Sequence, residues 1–253
     1  MIGRYLRTAL AVRLATVLII WAAWELVARS GIIYEGIIPS SLAVIASMVH
    51  QLSERTIYLD AVQTAYEVIA GFAAGTAAGA SVGLLLGARR FADRAAAPYL
   101  QGLAATPKIV FLPILMLMLG VGAGSKIGMG ALSTFFPVAI ATAEGMKGVD
   151  PVLIRVAHSF NASGWQIVRT VLLPSLVEPV IVGMRLGLGV AIVGVLLAEI
   201  KFARAGLGHL AIQHYNFLRV PDMYAVLAIT FALALAANTL MAAVGRRLVR
   251  RRN

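Results

Sequence analysis

The chain has 253 residues, 60% of them hydrophobic and 13% charged, with a mean hydropathy of +0.87. Soluble domains are about half apolar and about a quarter charged, so a soluble enzyme or binding module is excluded and an all-α integral membrane protein is expected. The net charge of +11, which in a soluble protein would suggest nucleic acid, reads here as the Lys/Arg surplus of cytoplasmic loops, and with no cysteine there is neither a disulfide framework nor a thiolate metal site.

Arg4, Arg7 and Arg13 precede the apolar run 14–28. No small-x-small cleavage site follows, so the run is expected to be an uncleaved first span with its N-terminus inside. Residues 31–55 are too interrupted to span. They read as an external loop with a short interfacial helix capped by Ser40 or Ser41. The second span lies within 60–88 and carries Gly71, Gly75, Gly79, Gly83 and Gly87. Glycines every four residues let two membrane helices approach backbone to backbone, so this row is assigned to helix packing. Arg89, Arg90 and Arg94 mark an inside loop.

The third span, 95–120, is interrupted by Pro98, Pro107 and Pro113 and holds Lys108. A lysine at membrane depth costs roughly 2.5–3.5 kcal/mol, so it should face protein, water or the membrane boundary. Residues 120–124 turn outside, with Lys126 beside them, and the fourth span follows over 127–143. The fifth is 175–200, with Glu178 and Arg185 in its inner half and Glu199 at its outer end. Residues 201–222 form a second external loop. The last span, 223–244, leads into a basic tail. Fourteen Lys and Arg then fall on inside loops and ends, against six outside (Arg29, Arg55, Lys126, Lys201, Arg204, Arg219). The asymmetry supports six spans with both ends cytoplasmic.

Two motifs fail on spacing. The stretch 120–126, GVGAGSK, mimics a phosphate-binding loop, but Ser125 rather than Gly precedes Lys126 and Ile127 follows it. His209, His214 and Asp222 could suggest a metal, but a spacing of five places the two histidines on different sides of a helix. No nucleophile–base pair or paired-carboxylate arrangement stands out, so no catalytic, cofactor or metal site is assigned.

Polar residues concentrate in 144–174, EGMKGVDPVLIRVAHSFNASGWQIVRTVLLP. Asp150 is placed as an N-cap with Pro151 at the first helical position. A helix over 151–160 puts Leu153, Val156, Ala157 and Phe160 on one stripe, with Arg155, His158 and Ser159 away from it. Asn161 tolerates the left-handed conformation that ends helices. Ser163 and Gln166 form a capping box for a second helix, which Pro174 is expected to limit. Such a pair is either a solvated interfacial element or a docking element.

The same stretch resembles the cytoplasmic loop of bacterial ABC-importer permeases. That motif opens Glu-Ala-Ala, has Gly four residues later, and closes Ile-x-Leu-Pro after nine more. Here the aligned residues are Arg155, Val156, Ala157, Asn161, Val171, Leu173 and Pro174; Arg155 reverses the charge of the family's Glu. The flanking TPKIVFLPILMLMLGVGAGSKI and GMRLGLGVAIVGVLLAEI are similar to the nitrate/sulfonate/taurine-type permeases. The resemblance implies one permease domain over 1–253, with an N-terminal span and external loop (1–59), core spans (60–245) and a basic cytoplasmic tail (246–253). It implies a multi-pass protein of the bacterial inner membrane that imports a small anion such as a sulfonate, taurine, nitrate or bicarbonate, or else a vitamin precursor or aromatic acid. It implies a second permease copy, a cytoplasmic ATPase dimer that binds ATP and Mg, and an external substrate-binding protein. In that reading Asp150, Pro151, Arg155, Ala157, Phe160, Asn161, Ala162, Ser163, Leu173 and Pro174 belong to the ATPase-coupling loop, and Lys108 and Arg185 are candidates for the translocation path. The rival reading is a secondary transporter or channel, which calls for inverted repeats and midplane charges; no such repeat is evident.

Overall fold

The computed structural model describes residues 2–31 and 37–250, all helix, turn or coil without strand. Residues 32–36, in the segment expected to form the first external loop, and 251–253, in the expected basic tail, lie outside the described residues. Among the described residues five helices are long and apolar enough to cross a bilayer, or six when one bent pair is counted as a span. The chain divides into two compact units, Met1–Tyr58 with Leu210–Ile229, and Leu59–His209 with Thr230–Asn253.

In the first unit, α1 (Ile2–Arg29) leaves its apolar body exposed between Leu10 and Trp21, as a lipid-facing helix would. Its end is tied to α2 (Ser41–Ser53). The Glu25 carboxylate accepts from Arg29 Nε at 2.6 Å and from Ser41 N and Oγ at 3.0 and 2.6 Å. Ser40 is the N-cap, its hydroxyl accepting from Ala43 N. Later residues close the unit: Ser47 Oγ donates to Asp222 at 2.7 Å, Gln51 Nε2 meets His214 Nε2 at 2.9 Å, and Trp24 stacks edge-to-face on Tyr224. Burial pushes the His214 imidazole below its ordinary pKa, and Asp222 partly offsets this. These partners occupy two of the three candidate metal ligands, and no cluster of three ligating side chains occurs among the described residues.

The second unit is built on glycine contacts. Helix α3 (Arg55–Gly87) lays its glycine row along α6 (Ala123–Lys147). A methyl group at Gly71 would sit 2.7 Å from the Ile127 carbonyl oxygen, one at Gly79 2.6 Å from that of Phe135, and one at Gly83 2.5 Å from that of Ala139. The partners advance by four residues as the glycines do, so the two backbones run in register. Gly183, Gly187 and Gly194 of α9 (Leu173–Phe202) approach α6 as well, against Val138, Thr134 and Ser133.

Two sequence expectations change, those for Lys126 and Pro174. The third span is interrupted at Pro107 as expected: α4 (Arg90–Ala105) ends before it, a single 3₁₀ turn covers Lys108–Phe111, and α5 (Leu112–Leu119) leaves at 93°. Proline drives the preceding residue out of the helical region, and Thr106 sits extended at ψ 136°. Lys126 is not a loop residue. It lies buried in the first turns of α6, with Nζ donating back to the Val121 and Gly122 carbonyls. Pro174 does not end the helix before it. The chain stays helical from Gly164 to Phe202 because residues Val168–Leu172 widen into a π turn, closed by Leu173 N on Val168 O. That turn absorbs the missing N–H and the clash of the proline ring with the carbonyl four residues back.

Candidate functional site

Helix α6 leads into the polar loop at Gly148. Lys147 anchors this end by bridging Asp93 of α4 at 2.8 Å and Glu144 at 2.9 Å, and Val149 is buried. Asp150 Oδ1 accepts from Val152 N at 2.8 Å, and Pro151 opens α7 (Pro151–Ser159). The helix closes in a Schellman motif: Asn161 at φ +52° donates to His158 O, and Ala162 N donates to Ala157 O. One residue on, Ser163 and Gln166 cap α8 (Gly164–Ile167) reciprocally, Ser163 N to Gln166 Oε1 at 2.7 Å and Gln166 N to Ser163 Oγ at 3.3 Å. The helix continues through the π turn to Leu173 and Pro174. The turn between α7 and α8 therefore satisfies its own backbone, while its side chains stay outward. Phe160 is 83% exposed and Trp165 69%; Val152, Leu153, Val156 and Arg155 are exposed too, and Ala157 is half-buried. Trp165 belongs to this apolar tip and was not singled out from the sequence, because α8 is too short to show a stripe.

The two cationic candidates for the translocation path are not brought together. Lys108 stands at the α4–α5 break, half-buried, on a cleft lined by α4, α6 and α9; Nζ donates to Ala104 O and lies 5.5 Å from the Phe136 ring centroid. Arg185 lines a different groove with Glu178, Arg246 and Arg247, and it is exposed.

The chain is thus a polytopic helical protein with an apolar-tipped polar loop between two helices of membrane-crossing length. Residues 75–253 match the family of binding-protein-dependent transport system inner membrane components, and the chain belongs to that family. It is a transport subunit, and ATP hydrolysis lies with a separate chain. It is 26% identical to the putative aliphatic sulfonates transport permease protein SsuC of Bacillus subtilis, over 93% of this chain and 85% of that one. It is 31% identical to the riboflavin transport system permease protein RibX of Chloroflexus aurantiacus, over 95% of this chain and 89% of that one. Its fold is similar to a chain of the inward-facing MetNI methionine ABC transporter, with a TM-score of 0.66 at 21% identity, covering 81% of this chain and 98% of the other.

Proposed function

We propose that the chain is the membrane-spanning subunit of an ATP-driven importer that carries a small organic anion inward by alternating access. In this reading two copies pair with two cytoplasmic ATPase subunits, which hold ATP and Mg, and an external binding protein delivers the cargo. Both chain ends lie in the cytoplasm. Similarity to SsuC supports an anionic cargo, and similarity to RibX keeps a vitamin-like cargo as the second reading.

The observation that carries the coupling role is the exposed apolar tip, Phe160 and Trp165, on a turn whose backbone is already satisfied. A pre-ordered turn loses little backbone freedom on docking, so less of its side-chain burial is offset in the binding energy. Burying one Phe is worth roughly 1.5–3 kcal/mol, on the order of ten- to a hundredfold in affinity.

Phe160→Ala should therefore remove most of the substrate-stimulated ATP hydrolysis of the reconstituted complex while the permease stays folded. Asn161→Gly should be mild. Asn161→Val should be as severe as Phe160→Ala, because a β-branched residue is poorly accommodated at φ +52°. Full stimulation in both Phe160→Ala and Asn161→Val would remove this loop from the coupling path. For the orientation, reporters fused after Arg94 and Lys147 should score cytoplasmic and those near Glu54 and His209 external; an external signal at Lys147 would reject both the span count and the docking role.

A further inference from the structure

The bend between α4 and α5 borders a cleft of about 530 Å³, within the usual range for small-molecule sites. Its walls are mostly hydrocarbon, with Ile109, Ile140, Val190, Val193 and Leu197 among them, and among the described residues its lining includes Lys108 but no carboxylate. The ammonium group is held without being neutralised. Its partners among the described residues are the Ala104 carbonyl, at the C-terminal end of α4, and the Phe136 ring. Both offer a partial negative charge to a cation, and neither removes the charge. An ammonium has three donors, so a ligand can still be bound while Ala104 keeps one.

Hydrocarbon is a poor occupant here, because a lysine in an apolar wall is unfavourable unless an opposite charge meets it. A wholly inorganic anion is also a poor one, since it leaves the apolar walls unused. A zwitterion would set its own ammonium beside Lys108 with no lining carboxylate to receive it. We infer that the cleft is a cargo subsite for an organic monoanion with an apolar body: its sulfonate or carboxylate head on Lys108, its alkyl or aryl body along Val190, Val193 and Leu197. This rests on the transport reading and narrows its cargo, setting taurine, nitrate and bicarbonate below longer sulfonates or carboxylates.

The test is binding to the purified full chain in nanodiscs, with empty nanodiscs as the blank. The probes are 1-hexanesulfonate, its uncharged match 1-hexanesulfonamide, and taurine. Wild type should bind hexanesulfonate saturably, at least tenfold tighter than either of the others. Lys108→Met should erase the preference for the sulfonate over the sulfonamide, and Lys108→Arg should keep it. Val193→Trp, at an exposed position and so tolerated by the fold, should weaken both hexyl probes at least tenfold by filling the cleft. Equal binding of sulfonate and sulfonamide, a preference that survives Lys108→Met, taurine binding as tight as hexanesulfonate, or no saturable binding would each overturn the subsite. The importer reading is scored separately, by ATP hydrolysis in complexes carrying Phe160→Ala. If coupling follows Phe160 but the sulfonate ignores Lys108, only the subsite falls. If the sulfonate follows Lys108 but ATP hydrolysis ignores Phe160, only the coupling reading falls.

Discussion

Gly79→Leu should yield no folded permease. A Cβ at this position would stand 2.6 Å from the Phe135 carbonyl oxygen, 3.1 Å from Ala139 N and 3.1 Å from Val138 Cβ. Two of those atoms are α6 backbone, which cannot rotate aside as a side chain would, so even Ala forces the two helices apart. Ordinary core overpacking costs about 1–3 kcal/mol. Separating a contact repeated at Gly71, Gly75, Gly83 and Gly87 should cost more, because each neighbouring contact is lost with it. Gly102→Leu is the matched control, since nothing lies within 4 Å of a Cβ there. The measurement is the yield of monodisperse protein after extraction, together with its thermal midpoint. Gly79→Ala should fall between wild type and Gly79→Leu, and Gly102→Leu should match wild type. A Gly79→Leu protein with wild-type yield and midpoint would mean that α3 and α6 are not in backbone contact.

What was legible in the sequence was local. The glycine row on α3 stood out because five glycines at one spacing have no other economical use in a helix. The caps at Asp150 and Ser163 and the left-handed Asn161 were readable because each depends on residues within a few positions. Pro107 announced a break but not its angle; beyond it Leu112 packs with Met129 and Ala198, contacts that lie far along the chain. Pro174 misled, because a proline can be absorbed by a π turn as well as by a stop, and five residues of otherwise helical sequence do not distinguish the two. Gly183, Gly187 and Gly194 were hidden by their uneven spacing inside a run that is apolar on every side. Glu199 looked like a residue at the outer end of a span, yet it is fully buried. Its partners are Gly208 and, from α3, Thr64, which lies 135 positions earlier in the chain where no local pattern could reveal it.

Glu199→Ala should be the most damaging single change at that end of the second unit. Three successive amides open α10 (Leu207–Asn216), and each is satisfied from elsewhere. Gly206 N donates to Asp60 Oδ1 at 2.7 Å, Leu207 N to Thr64 Oγ1 at 2.9 Å, and Gly208 N to Glu199 Oε2 at 2.7 Å. Thr64 in turn donates to Glu199 Oε1 at 2.7 Å. Carboxylates suit this place because the first amides of a helix have no partners within it and carry partial positive charge. Truncation to Ala strands two buried donors, at about 1–3 kcal/mol each, and leaves a void. For a chain of this size the thermal midpoint should drop by roughly 10 °C. Glu199→Gln should be intermediate, since an amide accepts through one atom and opposes a donor with the other. Glu67 behaves differently. Its carboxyl faces that of Glu199, Oε1 accepts from Gln63 at 2.7 Å, and Oε2 is buried with no other donor among the described residues. Glu67→Gln keeps the acceptor for Gln63 and turns an N–H toward Glu199, so its midpoint should stay within a few degrees of wild type. The order Glu199→Ala, then Glu199→Gln, then Glu67→Gln, read from midpoints of the purified permease, is the expected result. A Glu67→Gln protein as unstable as Glu199→Ala would show that the two carboxyls are not arranged as donors and acceptors in this way.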